Sequence, residues 1–406
     1  MIRWQSLAPA LFFFFAGAGS LYLADLIISS RLDASTIEQW TATKVSMLLV
    51  GQAALFGFDQ LIVREPHARV PLARVAAAAA IAAGSIAGLF AFLVGRTDIM
   101  WALPIVVPCY VLSILSFARA RSAHQFAAAH LVRDGWKVAF AIAIIAYLVW
   151  PNLPAPPYLL ATTMALAVLP LIGLLRLRPH DAIQRHSDIS DLTSAVRSAT
   201  PFFMSSFALA AGAYAELALM TSIAPAAQTA QYLQLAVAFS YPALMLNTFI
   251  SGVLSAHFRD NLGTFLLLTG RWHWRLAGLV FATALVFFST GYLLHSLIMP
   301  PTTGNATFVA MIMSITGSVR LAHAITASGL GVLAPIRQLN QLAMMSFLGG
   351  LLFVSGVLIL VAIGLDPAAS CALGTLLYWS FLLTISIRAS RVVARELNST
   401  APVRTT

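Results

Sequence analysis

The sequence predicts an all-α, polytopic integral membrane protein with about twelve transmembrane helices in two six-helix bundles. Three observations lead there. Hydrophobic residues make up 60% of the 406 residues and charged ones only 9%, whereas a soluble globular domain carries about 25% charged residues. Apolar runs of spanning length recur twelve times, and at roughly 20 residues each they account for about 240, close to the apolar total. The polar segments between them are mostly short. Disorder, collagen and small disulfide scaffolds are excluded, because none of them is this apolar.

The first run, 8–29, follows Arg3. Its Leu7–Phe15 stretch and Ala16-Gly17-Ala18 imitate a signal peptide, but the apolar character continues through Ile28, beyond the length of an h-region. It therefore reads as the first span. Further runs fall at 43–62, 73–95, 99–117, 135–150 and 157–177, and then at 201–222, 230–254, 275–298, 305–327, 340–363 and 368–387. The longest polar segment, 178–200, holds Arg178, His180, Asp181, Arg185, His186, Asp188, Asp191 and Arg197. The chain thus divides into an N-terminal six-helix bundle at 1–177, a cytoplasmic linker at 178–200, a C-terminal six-helix bundle at 201–388 and a cytoplasmic tail at 389–406. A transporter built from parallel repeats has this plan. One echo between the halves agrees with it. Asp25 and Glu216 lie near the outer ends of their spans, and Gln39-Trp40 and Gln231-Tyr232 follow about fifteen residues later.

The formal net charge is +10, from 24 Lys and Arg against 14 Asp and Glu. In a soluble chain such an excess suggests nucleic acid. Here the loops explain it, because basic residues collect on the cytoplasmic side of a membrane protein. One set of loops, with both termini, holds 21 of the 24, while the opposite set holds Arg31, Lys44 and Arg96. Both termini are therefore expected in the cytoplasm, and no nucleic-acid partner is expected. The outer loops are short and proline-rich, as at 151–157, and no external catalytic domain fits in them.

Catalytic chemistry has no visible residues. No G-x-x-x-x-G-K-[ST], H-E-x-x-H or C-x-x-C occurs, and the nine histidines are scattered. Cys109 and Cys371 sit apart in apolar stretches. No enzyme activity, metal site or cofactor is expected, which leaves transport. The charges inside the spans are then the candidates. Asp25 and Glu216 read either as cavity-facing carboxylates that couple to an ion or as side chains snorkelling to the interface. Four small residues, 210–213, precede Glu216 and favour close packing or a hydrated gap. Arg320 and His323 share one helical face, which suits either a phosphate inside a cavity or the cytoplasmic headgroups. Arg31 and Lys44 flank the first outer loop, as expected for an anion-attracting or headgroup-contacting pair.

The end of the second span reads Gly57-Phe58-Asp59-Gln60-Leu61-Ile62-Val63-Arg64-Glu65. It resembles the ending of the second helix in the Wzx-type polysaccharide flippases of the MOP exporter superfamily. The 119–137 stretch resembles the amphipathic lead-in to their fifth helix, and 215–256 resembles their seventh and eighth helices. The resemblance implies two bundles rocking about a central cavity. It also implies a cargo, an undecaprenyl-pyrophosphate-linked oligosaccharide moved from the cytoplasmic to the periplasmic leaflet of a bacterial inner membrane for surface polysaccharide synthesis, such as lipopolysaccharide O-antigen, capsule or exopolysaccharide. Polymerase and chain-length proteins are the implied partners, and protons or another cation the implied coupling ion. On this reading Arg64, Arg320 and His323 meet the pyrophosphate, Gln52, Gln60, Tyr241 and Asn247 meet the sugar, and Glu216 and Asp25 couple the ion. Two alternatives stay open. A MATE-like, cation-coupled small-molecule exporter shares the architecture and needs intramembrane acids. A membrane-embedded polymerase or glycosyltransferase needs a large external loop, which this chain lacks.

Overall fold

The computed structural model describes residues 4–64, 71–123, 125–150, 152–168, 191–247, 250, 272–299 and 305–400. These form helices and turns, with no strand among them. They fall into two compact units, Met1–Ala230 and Gln231–Thr406.

The first unit contains α1 (Trp4–Arg31), α2 (Ala34–Leu55), α3 (Phe58–Arg64), α4 (Leu72–Leu93), α5 (Leu103–Ser122), α6 (Phe126–Val149), α7 (Pro156–Val168) and α8 (Leu192–Ile223). Helix α9 (Ala226–Phe239) runs across the division. The second unit contains α10 (Trp272–Ile298), α11 (Ala306–Leu333), α12 (Ile336–Ala362) and α13 (Pro367–Thr400). Eight of the helices among the described residues are long and apolar enough to cross a membrane. With the fold class expected from composition, this is an all-α polytopic membrane protein.

Local sequence explains the element ends. Asp33 is the N-cap of α2, accepting from the Thr36 N–H at 3.0 Å and from the hydroxyls of Ser35 and Thr36. Those hydrogen bonds, the Ser35 one foremost, hold its carboxyl down at about 2. Asp191 caps α8 in the same way, in a reciprocal pair with Ser194. The face that α4 buries is Leu72, Ala76, Ala80, Gly84, Gly88 and Ala91, a four-residue repeat of mostly small side chains. That repeat lets α4 lie close against α5. Helix α1 packs on α6, and α2 packs on α8.

Several boundaries differ from the hydropathy reading. The outer loop expected at 30–42 is two residues long, because the Asp33 cap starts α2 at Ala34. Helix α6 starts at Phe126, nine residues before the apolar run, since its first turns are charged but fully helical. Lys44, expected beside the outer loop, is buried in the middle of α2. Arg133 and Lys137 likewise lie within α6. Helix α8 begins within the expected linker, residues 178–190 of which lie outside the described residues, and α13 continues as helix to Thr400.

Candidate functional site

In the first unit two of the buried acids, Asp25 and Asp134, lie against basic side chains. Asp25 on α1 is 1% exposed. One of its oxygens accepts from the Lys44 ammonium at 2.6 Å and the other from the Trp40 indole N–H at 2.9 Å. Trp40 and Lys44 are four residues apart on α2 and so share a face. The Trp40 ring stacks on Phe140 of α6 with 4.8 Å between centroids. The interfacial-snorkelling reading of Asp25 therefore does not hold: the carboxylate is enclosed and ion-paired. The echo seen in the sequence, an acid followed by a polar-aromatic pair, is here a direct contact.

A second cluster is built on α6. Asp134 accepts from Lys137 at 2.5 Å and from Arg133 at 2.9 Å, and the His130 Nδ1 lies 3.3 Å from it. The Arg133 guanidinium also lies over the rings of Phe117 (4.5 Å) and Phe14 (5.6 Å), a cation–π arrangement. Gly17 of α1 has no room for a side chain because it presses against Asp134. The sequence reading did not assign this cluster, whose residues straddle the start of the apolar run at 135–150. The signal was present, since positions 130, 134 and 137 have the spacing of one helical face.

Glu216 is 4% exposed on α8, the helix packed against α2. Gln60 is exposed and donates to the neighbouring Asp59 at 3.0 Å. Gln52 is half-buried. The backbone of Arg64 ends α3, and its side chain lies outside the described residues.

The second unit holds the cationic patch. Arg320, in the middle of α11, is 0% exposed. It lies thirteen residues before the last residue of α11, or about 20 Å along the axis, so the guanidinium does not reach for headgroups past that end. It donates to the Ser240 hydroxyl at 3.3 Å and lies over the Trp379 ring at 5.1 Å. His323, one turn on and 7% exposed, meets the same indole edge-on at 5.3 Å. The shared face inferred from the three-residue spacing is therefore real, and Trp379 of α13 is what it faces. Tyr378 packs edge-on against Trp379 with 5.9 Å between ring centroids. Tyr241 is buried, and Asn247 is half-buried with its Oδ1 enclosed and accepting no hydrogen bond. Among the described residues no group of three or more acids, histidines and cysteines is placed to hold a metal ion.

No family model matches the sequence, and no curated protein does. Solved structures do match. An inward-facing conformation of a multidrug resistance MATE family transporter of the MOP superfamily aligns with a TM-score of 0.62 at 13% identity, covering 94% of this chain and 96% of that one. The outward-facing conformation described in the same terms gives 0.55 at 13% identity, over 98% and 97%. A crystal structure of MATE in complex with MaL6 gives 0.55 at 12% identity, over 98% and 97%. The chain has the fold of these MATE transporters of the MOP superfamily.

Proposed function

We propose that the chain is a membrane transporter that works by alternating access and performs no chemistry on its cargo. The observation that carries this reading is a fold shared with transporters over nearly the full length of both chains. Charged side chains buried inside apolar helices agree with it, because such charges are expensive and mark transport paths.

For the cargo, the reading is an oligosaccharide on undecaprenyl pyrophosphate, moved from the cytoplasmic to the periplasmic leaflet of a bacterial inner membrane, with both termini cytoplasmic. The span-2 ending at 57–64 supports it, as does a buried guanidinium beside an indole and a hydroxyl in the second unit. Arg320 and His323 would meet the pyrophosphate, and Asn247 and Gln60 the sugar. A second reading, a cation-coupled small-molecule exporter, is supported at least as well by the solved structures, which are described as multidrug resistance transporters. Glu216, buried on α8, is an acid of the kind this reading requires.

The full chain reconstituted in vesicles separates the two. Leaflet exchange of a fluorescent lipid-linked oligosaccharide, with no uptake of an organic cation, assigns the flippase. Gradient-driven movement of the organic cation alone assigns the exporter, and activity in neither assay rejects transport of both classes. In whichever assay responds, Glu216→Gln is expected to fold normally and lose dependence on the ion gradient. Unchanged gradient dependence would make Glu216 a packing residue.

A further inference from the structure

Span 2 is broken. Helix α2 stops at Leu55, α3 starts at Phe58, and Phe56 (φ 46°) and Gly57 (φ 73°) between them both lie in the left-handed region. Among the described residues Phe56 is the one non-glycine residue with positive φ, a conformation that bulky side chains rarely adopt. Its surroundings hold it there. The Phe56 ring stacks on Phe203 at 4.6 Å. Gly57 lies so close to α8 that a Cβ would stand 2.6 Å from the Phe203 nitrogen and 2.7 Å from the Ala199 oxygen. On α8 this contact straddles Pro201, which has no N–H to give to the helix ladder. Two weakened helices therefore meet at the same level.

Asp59 sits in the first turn of α3, beside the break, and is 8% exposed. Its Oδ2 accepts from the Gln60 amide, while its Oδ1 is enclosed and takes no hydrogen bond. The hydrophobic core around α3 takes Leu72 and Ala76 from α4 and Ala199 and Phe202 from α8. Helix α5 contributes Leu115 and Ala118 together with the titratable groups that act electrostatically here, Arg121 and Tyr110.

We infer that Asp59 is a proton-binding site set in the hinge of span 2. A buried carboxylate oxygen without a donor is costly. A proton on Oδ1 removes the buried charge and with it that cost. A metal cation fits less well, because the site offers one carboxylate, Gln60 presents its N–H and Arg121 repels a second positive charge. Ionised, Asp59 attracts the Arg121 charge of α5; protonated, it does not. Proton occupancy is thereby tied to how α3 sits against α5, whichever cargo the protein carries.

The test is the acid-minus-neutral infrared difference spectrum of the full chain reconstituted in lipid. A band from a buried protonated carboxyl should appear in the wild type, vanish in Asp59→Asn and persist, shifted, in Asp59→Glu. Superimposable wild-type and Asp59→Asn spectra, with the variant folded, would overturn the inference. A carboxylate signal that responds to sodium at fixed pH would assign the site to a metal cation and overturn it equally. The spectrum needs no cargo, so its failure would leave the transport reading untouched.

Discussion

The two units bury charge in different ways. Every buried acid among the described residues, namely Asp25, Asp59, Asp134 and Glu216, belongs to the first unit, and two of them lie against basic side chains, Asp25 with Lys44 and Asp134 with Arg133 and Lys137. In the second unit the buried charge is Arg320, set against an indole face and a hydroxyl. The described acids of that unit, Asp366 and Glu396, sit at the start and in the last turns of α13. A buried ion pair spends its charge internally and fixes how helices pack. On the proposed reading, the Asp25–Lys44 pair of the first unit would serve architecture and the patch of the second would meet the cargo.

The largest effect should come from breaking a pair in the first unit. Lys44→Ala leaves the Asp25 charge enclosed, which costs about 3–5 kcal/mol. Thermal unfolding of the purified protein should show a large drop, and the double change Asp25→Asn with Lys44→Met should recover much of it. A stable Lys44→Ala protein would remove the architectural role. A smaller loss is expected in the second unit. Trp379→Leu removes the ring under Arg320 and should cost about 1–2 kcal/mol, with transport falling further than stability. Equal falls in both would make the indole a packing residue only.

The smallest effect lies outside the buried clusters. Asp33→Ala removes the cap of α2 and should cost about 1 kcal/mol without touching either cluster. Because the Asp33 carboxyl is held down at about 2 in the folded protein, its stabilising contribution is full above the unfolded value of about 4 and is lost as pH falls through about 2. A stability difference between wild type and variant that stays constant across that window would show that the cap does not depend on its charge.

Much of this was legible in the sequence. Where the described residues cover them, the apolar runs are helical, the 43–62 run as two helices with a break at Phe56-Gly57, because roughly 20 apolar residues in lipid have no other way to satisfy their backbone. Boundaries were less legible where helices carry charge: α2 and α6 begin eight or more residues before their apolar runs because a paired charge costs little hydropathy in the fold but much in a sliding window. The α6 cluster was readable from one-face spacing. The Asp25–Lys44 pair was not, since its partners are 19 residues apart on different helices and no periodicity links them. The contact of Arg320 with Trp379 likewise joins α11 to α13, and only the fold brings them together.

The most direct test of the division of labour is transport by Arg320 variants, measured in reconstituted vesicles and normalised to folded protein. With the lipid-linked oligosaccharide as cargo, Arg320→Ala should abolish leaflet exchange while the protein still folds and inserts, and Arg320→Lys should retain part of the activity by keeping the charge. Full exchange in the alanine variant would contradict the account, because the buried cation of the second unit would then serve packing just as the ion pairs of the first unit do.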